Sequence, residues 1–316
     1  MITETRKGAN ILVIKLGALG DMVQALGAMA AIRRYHSDSW ITVLTTEPYA
    51  AFLKASGLFD AVWVDMRPSF INVGAWMRLR RRLRGGGIGR VYDLQTSDRS
   101  GWYFRLFGAP RPEWSGIAPK CSHPHTNPER NSMHTIERQR EQLAMAGIDD
   151  VPSSEVGWAT ADLGEFCLLN DYTLLVPGGA RHRPAKRWPQ ARYVELAKKL
   201  CNDGHTPILI GGAEEGDLLG AIAAAVPGVV NLAGRTDLFQ LAEMGRRAVC
   251  AVGNDTGPMH LIAAAGCKAV VLYSHESDPA LCAQRGAEVS ILRRPTLDAL
   301  KVATVVAALD NSTSGV

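Results

Sequence analysis

The sequence lacks the features that mark metalloproteins, disulfide-rich secreted proteins and membrane-spanning proteins. Its six cysteines form no CxxC pair, and no His–Cys group has zinc-site spacing, so neither a disulfide framework nor a metal is expected. The longest uncharged stretch, 218–234, has 17 residues and is broken by Pro227, which does not suit a continuous membrane-spanning helix. The first ten residues are polar and do not resemble a secretory signal. These absences predict a cytoplasmic protein whose membrane contact is at most peripheral.

Composition and charge indicate a folded chain with two domains. Hydrophobic residues make up 47% of the 316 positions and charged residues 21%, as in globular proteins. Chains of this length usually divide into domains of about 150 residues. The net charge of +4 is small, and no nucleic-acid-binding module is recognisable, so no nucleic-acid partner is expected.

Short apolar runs alternate with amphipathic stretches in both halves of the chain. Runs such as 11–14 and 173–176 are apolar throughout, which predicts parallel strands covered on both faces. Between the halves, residues 108–133 contain five prolines and little periodicity, which predicts a long loop.

The pattern predicts an α/β fold of two doubly wound, Rossmann-like domains facing each other across a central cleft. The expected domains are 1–160 and 161–316, with the terminal helix as a candidate to pack back on the first domain. Sheets of this kind bind ligands at the carboxyl ends of their strands, so the cleft is where chemistry is expected.

The first candidate site joins the first predicted strand to the first helix and reads KLGALGD, from Lys15 to Asp21. Its glycines let the backbone approach a ligand near a helix start. The dinucleotide fingerprint GxGxxG is absent, which argues against a Rossmann oxidoreductase. From the spacing alone, Asp21 is either a helix N-cap or a carboxylate that serves as a general base.

The second candidate site follows the first strand of the second half. The segment PGGA includes Gly178 and Gly179, and the turn at 181–187 that comes after it holds four cations, Lys186 among them, and no acid. Such a turn can hold a polyanion, and a solvated basic turn is the alternative.

The third candidate site is GNDTGPMH, which follows a strand ending at Val252. Asp255, Thr256 and Gly257 begin a helix whose free N–H groups favour an anion by about 0.3–1 kcal/mol. His260 lies in the first turn of this helix, where it either contacts a ligand or packs locally.

The fourth candidate site is basic. Residues 66–92 contain seven arginines and no acid, with Trp76, Leu79 and Leu83 between them at helical spacing. The segment can lie on an anionic membrane surface or bind acceptor phosphates, and a solvated helix face is the alternative.

Taken in order, the motifs LGALGD, PGGAR with KRWP, and GNDTGPMHLIAAAG resemble glycosyltransferase family 9, the heptosyltransferase-type enzymes of lipopolysaccharide core assembly. The resemblance runs from Ile11 to the terminal helix. It implies the GT-B fold, with the acceptor bound by the first domain and the nucleotide sugar by the second. It also implies an inverting transfer, most often from ADP-heptose, that needs no metal or cofactor. A transferase for another nucleotide sugar and a catalytically silent nucleotide-sugar-binding protein remain alternatives.

The resemblance also assigns roles to single residues. Asp21 matches the general base and Lys186 the lysine at the donor diphosphate, while Glu214 matches the acid at the ribose hydroxyls. With the glycines and histidine of the second and third candidate sites added, the expected donor-binding set is Gly178, Gly179, Lys186, Glu214, Asp255, Thr256, Gly257 and His260. The expected acceptor-binding set joins Gly20 of the first site and Arg78, Arg81 and Arg82 of the basic segment to His134, which fits the family's histidine-bearing helix. The expected partners are a nucleotide sugar and an anionic glycolipid at the inner-membrane surface.

One segment departs from the family pattern. Many relatives carry a Gly-Pro-Thr turn after the strand at 269–273, whereas this chain has Ser274-His275-Glu276. These larger and more polar residues alter the expected edge of the donor pocket, which bears on the identity of the sugar.

Overall fold

The computed structural model describes residues 9–69, 71–168 and 171–311. The chain divides between Ser154 and Glu155 into two α/β units. This point and the boundary expected from the sequence, 160/161, both lie in a segment without helix or strand, between Ala144 and Gly164.

The first unit is a six-stranded parallel sheet in the order β3-β2-β1-β4-β5-β6. Its central strand is buried on both faces, since Leu12, Val13 and Ile14 have no exposed surface, as a parallel sheet covered by helices requires. The elements of this unit are β1 (Asn10–Ile14), α1 (Leu19–Tyr35), β2 (Ile41–Thr45), α2 (Glu47–Ala55), β3 (Ala61–Val64), α3 (Val73–Gly85), β4 (Ile88–Asp93), α4 (Asp98–Phe107), β5 (Glu113–Gly116), β6 (His123–Pro124) and α5 (Thr135–Ala144).

The second unit repeats this topology, with β7 in the place of β1 and β10 in the place of β4. Its parallel sheet has the order β12-β11-β10-β7-β8-β9. The expected α/β class of two doubly wound units is therefore confirmed. The elements are β7 (Tyr172–Val176), α6 (Gln190–Asn202), β8 (Thr206–Leu209), α7 (Gly216–Ala225), β9 (Val230–Asn231), α8 (Leu238–Arg247), β10 (Cys250–Asn254), α9 (Gly257–Ala264), β11 (Ala269–Tyr273), α10 (Pro279–Cys282), β12 (Val289–Arg293) and α11 (Val302–Asn311).

The prediction of a long loop at 108–133 is wrong. This segment contributes β5 and β6 to the sheet and a 3-10 helix, Pro128–Ser132. Ser115 pairs with His123 in parallel register, and β6 is the edge strand. Pro124 is tolerated there because an edge strand does not need every backbone N–H for pairing.

The terminal helix α11 packs against α6 and β11 of the second unit. Val302, Val305 and Leu309 recur at helical spacing and lie in the second core. Because these residues form one apolar stripe, the helix is most stable where a core covers that stripe.

Strand order reverses at one place in each sheet, between β1 and β4 and between β7 and β10. In doubly wound sheets, a crevice opens at the carboxyl ends of the two strands that flank such a reversal. The connections that leave these strands begin at Lys15 and Leu94 in the first unit and at Pro177 and Asp255 in the second. Three of the four candidate sites thus fall at a reversal point.

Helix α1 approaches the segment after α5 so closely that only glycine fits at position 27. A Cβ atom on Gly27 would lie 2.2 Å from the carbonyl oxygen of Pro152, which is a backbone atom. We expect Gly27→Ala to lower the free energy of unfolding by about 1–3 kcal/mol, because the backbone must shift.

The matched control is Gly101→Ala in α4, where a Cβ atom would meet no described heavy atom within 4 Å. Alanine should raise the free energy of unfolding there by up to about 1 kcal/mol, through helix propensity alone. Urea unfolding followed by circular dichroism measures both variants, and stabilisation by both would contradict the close approach.

Candidate functional site

A cavity of about 260 Å³ lies in the first unit, where the connections after β1 and β4 leave the sheet. Its position is the one that the reversal of strand order predicts. Its lining is almost entirely polar or charged. The lining residues are Lys15, Asp21, Leu94, Gln95, Thr96, Arg130, Asn131, Arg138, Gln139 and Gln142.

Asp21 lies in the first turn of α1, but it is not the N-cap, since that position is Ala18. Gly20 beside it is buried, whereas Asp21 is half-buried. In the described part of the chain, its carboxylate takes part in no hydrogen bond or ion pair. Its charge acts on two cations, Lys15 and Arg138. A carboxylate that reaches a cavity and is not consumed by a structural contact is available as a proton acceptor.

Three cations, Lys15, Arg130 and Arg138, line the same cavity as this carboxylate. Lys15 is buried and donates a hydrogen bond to the Leu94 carbonyl oxygen at 3.2 Å. Burial lowers the pKa of Lys15, while the charge of Asp21 acts in the opposite direction. Burial also lowers the pKa of the Arg130 and Arg138 guanidinium groups. Taking these charges out of water is unfavourable, so an anionic ligand in this cavity would be strongly favoured.

Two polar atoms of the lining are buried without a hydrogen-bond partner among the described residues. These atoms are Oε1 of Gln139 and Nη2 of Arg130. An orphaned buried group costs about 1–3 kcal/mol, so such atoms indicate a place where a ligand completes the hydrogen bonding. A ligand with both hydroxyl and acidic groups satisfies this acceptor and this donor together.

The predicted acceptor residues do not all meet at this cavity. His134 is the N-cap of α5, where its Nδ1 accepts the Ile136 N–H at 3.2 Å, one turn before Arg138. Arg78, Arg81 and Arg82 lie on α3 and are not among the lining residues. The guanidinium of Arg82 stacks on the Trp63 ring at 4.7 Å. Lys15 begins the first candidate motif but received no role from the sequence, and Arg130 and Arg138 were not singled out.

In the second unit, Lys186 and Asp255 form a buried ion pair, with Nζ 2.6 Å from Oδ2. Burial would raise the pKa of Asp255, but the Lys186 ammonium holds it below its ordinary value. The other carboxylate oxygen accepts a hydrogen bond from Gln284 at 3.1 Å and lies 4.0 Å from Nε2 of His260. The structure thus brings the predicted Lys186, Asp255 and His260 together.

Asn254, the last residue of β10, holds the connection between β7 and α6 and received no role from the sequence. Its side chain is wholly buried, and its Nδ2 donates to the carbonyl oxygens of Pro177 at 2.7 Å and Gly178 at 3.0 Å. Its Oδ1 accepts the Trp188 backbone N–H at 3.0 Å and the Tyr193 hydroxyl at 3.1 Å. One amide therefore fixes the glycine loop and the basic turn beside the start of α9.

Glu215, rather than Glu214, is the acid that stabilises the local backbone in this site. Its carboxylate accepts the Gly179 N–H at 2.8 Å and the Gly212 N–H at 3.0 Å. Gly178 is required beside it, because a Cβ atom there would lie 1.7 Å from Oε1 of Glu215. Glu214 is exposed and makes no hydrogen bond or ion pair in the described part of the chain, so its carboxylate is available to a ligand.

Helix α9 begins at Gly257, with Thr256 as its N-cap. The Thr256 side chain makes no capping bond, and its Oγ1 is buried without a partner among the described residues. The hydroxyl and the free N–H groups of the first turn therefore lie one residue beyond the Lys186–Asp255 pair. Helix starts of this kind bind anions.

Within the described ranges, no group of three or more His, Cys, Asp or Glu side chains is placed to hold a metal ion. Of the helices described, none is both long and apolar enough to cross a membrane.

Asp93, at the end of β4, generates a prediction about pH. Burial raises its pKa from 3.8 to about 6, although the Thr96 and Gln95 backbone N–H groups favour the ionised form. The unfolded chain therefore releases this proton at lower pH than the folded chain does. On this account, folding stability falls by about 2–2.5 kcal/mol as the pH rises from 4 to 7.

Asp93→Asn removes this titration and keeps an oxygen for both backbone donors. We expect the free energy of unfolding of the variant, measured relative to that of the wild type, to be about 2–2.5 kcal/mol higher at pH 7 than at pH 4. Urea titrations at both pH values measure the difference. A difference that does not change with pH would contradict the raised pKa.

Comparison with known proteins identifies the family. The family model described as glycosyltransferase family 9 (heptosyltransferase) matches residues 76–301. Lipopolysaccharide heptosyltransferase 1 of Pseudomonas aeruginosa is 26% identical over 271 residues, which cover 81% of this chain and 76% of that protein. Lipopolysaccharide heptosyltransferase 2 of Salmonella typhimurium is 39% identical over 104 residues, 31% of this chain and 30% of the relative's own length.

Solved structures show the same fold. The ADP-heptose lipopolysaccharide heptosyltransferase II of E. coli superimposes with a TM-score of 0.80 at 22% identity, covering 96% of this chain and 98% of that one. A family 9 glycosyltransferase from Veillonella parvula gives a TM-score of 0.85 at 19% identity, with 97% of each chain covered. The expected GT-B fold is confirmed, and because the family model spans more than half of the sequence, the chain belongs to glycosyltransferase family 9.

Proposed function

We propose that this protein is an inverting, metal-independent glycosyltransferase that moves a heptose from ADP-heptose onto a lipopolysaccharide-core or related glycan. Family membership and the names of its relatives support the reaction class. The observation that carries the proposal is Asp21, a carboxylate that reaches a cationic cavity and has no structural partner in the described chain. A protein that only bound nucleotide sugars would gain nothing from this carboxylate.

In the proposed reaction, Asp21 takes the proton from an acceptor hydroxyl while that oxygen forms a bond to the anomeric carbon of the donor sugar. The bond from this carbon to the diphosphate breaks, and its electron pair leaves with the nucleotide. Attack from the face opposite the nucleotide inverts the anomeric centre. A positioned general base contributes about 10²–10⁴-fold to the rate.

The second unit would stabilise the leaving diphosphate. Lys186 exchanges its partner Asp255 for a phosphate oxygen, and the N–H groups at the start of α9 bind further oxygens. The exposed carboxylate of Glu214 would accept hydrogen bonds from the ribose hydroxyls. Gly178 and Gly179 would let the backbone approach the nucleotide.

The cavity supports an acceptor that carries an acidic group. Lys15, Arg130 and Arg138 supply positive charge there, and Gln139 offers an unused acceptor for a sugar hydroxyl. Among glycans, acidic sugars and phosphorylated sugars have this combination of groups. We accordingly propose an anionic glycolipid as acceptor and the cytoplasmic face of the inner membrane as the place of reaction.

A different nucleotide sugar as donor is the second candidate. Ser274-His275-Glu276 favours it, because this turn is larger and more polar than the Gly-Pro-Thr of many relatives. His275 is exposed, and its Nδ1 bonds the Pro295 carbonyl oxygen at 2.7 Å. Titration with a panel of ADP- and UDP-sugars decides between the donors.

The general-base role predicts that Asp21→Asn lowers kcat by at least about 10²-fold and leaves the affinity for ADP unchanged. Asparagine keeps the shape of the side chain but cannot take up the proton. Transfer from ADP-heptose to a lipopolysaccharide-core acceptor measures kcat, and calorimetry measures ADP binding. The control is Asp98→Asn, an exposed acid in the first turn of α4, which should not alter kcat. Transfer by the Asp21 variant within about threefold of the wild type would exclude the role.

The donor role of Lys186 predicts that Lys186→Met weakens ADP binding at least about tenfold. The single variant also leaves Asp255 buried and unpaired, which costs about 3–5 kcal/mol of stability. The double variant Lys186→Met/Asp255→Asn removes both charges and should recover most of that stability while ADP binding stays weak. Lys198→Met, an exposed lysine of α6, is the matched control. Unchanged ADP affinity in the stable double variant would contradict the role.

A further inference from the structure

The described surface of the first unit carries exposed apolar side chains just before and within the first two turns of α3. Met66 is 81% exposed, Ile71 90%, Val73 68% and Met77 50%. Large apolar side chains that are this exposed and this close in the sequence usually mark an interaction surface. Neither the cavity nor the Lys186–Asp255 pair uses them.

The apolar residues continue into a basic stripe along the same face of α3. Val73, Met77 and Arg81 are spaced four residues apart, so they lie above one another on the helix. Arg81 and its neighbour Arg78 are exposed and form no ion pair with any described residue. Leu79 and Leu83 hold the opposite face in the core of the unit. The exposed face is therefore apolar in its first turns and cationic in its last.

The segment that carries Met66 is held firmly against α4. Tyr103 donates a hydrogen bond to Asp65, and Asp65 in turn accepts the backbone N–H of Arg67 at 2.8 Å. The guanidinium of Arg99 donates to the Pro68 carbonyl oxygen at 3.3 Å. The exposure of Met66 is thus fixed by the fold beneath it.

Helix α4, which packs against α3, also carries an exposed aromatic side chain. Trp102 is 51% exposed and lies one turn before Leu106, whose carbonyl oxygen accepts a hydrogen bond from Arg84 of α3 at 3.0 Å. The guanidinium of Arg105 stacks on the Trp102 ring at 4.7 Å. Tryptophan and arginine side chains with an apolar body and a polar end are typical of the membrane–water interface.

We propose that this docking surface, formed by Met66, Ile71, Val73, Met77, Arg78 and Arg81, binds an anionic lipid bilayer. The apolar side chains enter the headgroup region with α3 parallel to the membrane plane, and the arginines contact lipid phosphates. Charge complementarity selects this occupant, because residues 66–92 contain seven arginines and no acid. Asp65, the acid that immediately precedes this segment, is buried and accepts a hydrogen bond from Tyr103. A second copy of the same surface would bring like charges together.

The inference rests on the proposed function in one respect only, namely that the acceptor is a membrane glycolipid. Binding to vesicles that contain neither acceptor nor donor therefore tests the surface alone. Transfer to a soluble, delipidated acceptor tests the proposed reaction alone. Either can fail while the other holds.

The experiment is sedimentation of the full chain with two kinds of vesicle. One kind contains phosphatidylcholine alone, and the other also contains about 30 mol% of the anionic lipid phosphatidylglycerol. Two variants address the two halves of the surface, Ile71→Ser/Met77→Ser and Arg78→Gln/Arg81→Gln. Their matched controls are Met145→Ser/Val249→Ser and Lys198→Gln/Lys301→Gln, which remove equally many exposed apolar groups or charges elsewhere.

The wild type should bind the anionic vesicles and lose binding as salt rises, because exposed charges are screened over about 8 Å at physiological salt. Each lost arginine should weaken binding about fivefold, and the apolar variant about tenfold, while both controls bind like the wild type. Transfer to the soluble acceptor by the Ile71→Ser/Met77→Ser variant should not change. Equal binding by the surface variants and their controls would overturn the proposal. So would self-association in analytical ultracentrifugation that the apolar variant abolishes, since a second copy would then cover this face.

Discussion

The molecule depends on one constraint of parallel sheets, which is that a reversal of strand order leaves two carboxyl ends side by side with their connections diverging. The chain uses this arrangement twice, at β1/β4 and at β7/β10. The first reversal gathers Lys15 and Asp21 around a cavity. At the second, the buried amide of Asn254 bonds the connections together and so places Lys186 beside Asp255. Sheet topology therefore brings these side chains together, and the chemistry of each residue depends on that placement.

Much of the fold follows from local pattern. Apolar runs such as 11–14 predict strands buried on both faces, and the structure has them there. The segment 108–133 was misjudged because β5 and β6 are short and gain their stability from pairing with β4, which no local pattern records. The place of the terminal helix is likewise not fixed by local pattern, since an apolar stripe fits any core and only the tertiary fold shows that Val302, Val305 and Leu309 lie in the second one.

The candidate site divides in the same way. Motifs located Asp21, Lys186 and the start of α9, because glycine, proline and charged residues directly after a predicted strand indicate a loop or helix start that can bind a ligand. Arg130 and Arg138 escaped notice because they come from a 3-10 helix and from α5, far along the chain from Asp21. Glu214 and Glu215 are adjacent, and only the structure distinguishes an exposed carboxylate from one that binds two backbone N–H groups.

The cationic cavity affects how its lining residues respond to selection. One guanidinium nitrogen of Arg130 and the amide oxygen of Gln139 are buried without a partner among the described residues, so replacing either residue with an apolar one of similar size would remove an orphaned polar atom. Selection for thermal stability alone would therefore erode the cavity. A lineage retains these residues only while it is also selected for what the cavity binds, and a laboratory screen for heat resistance would discard them early.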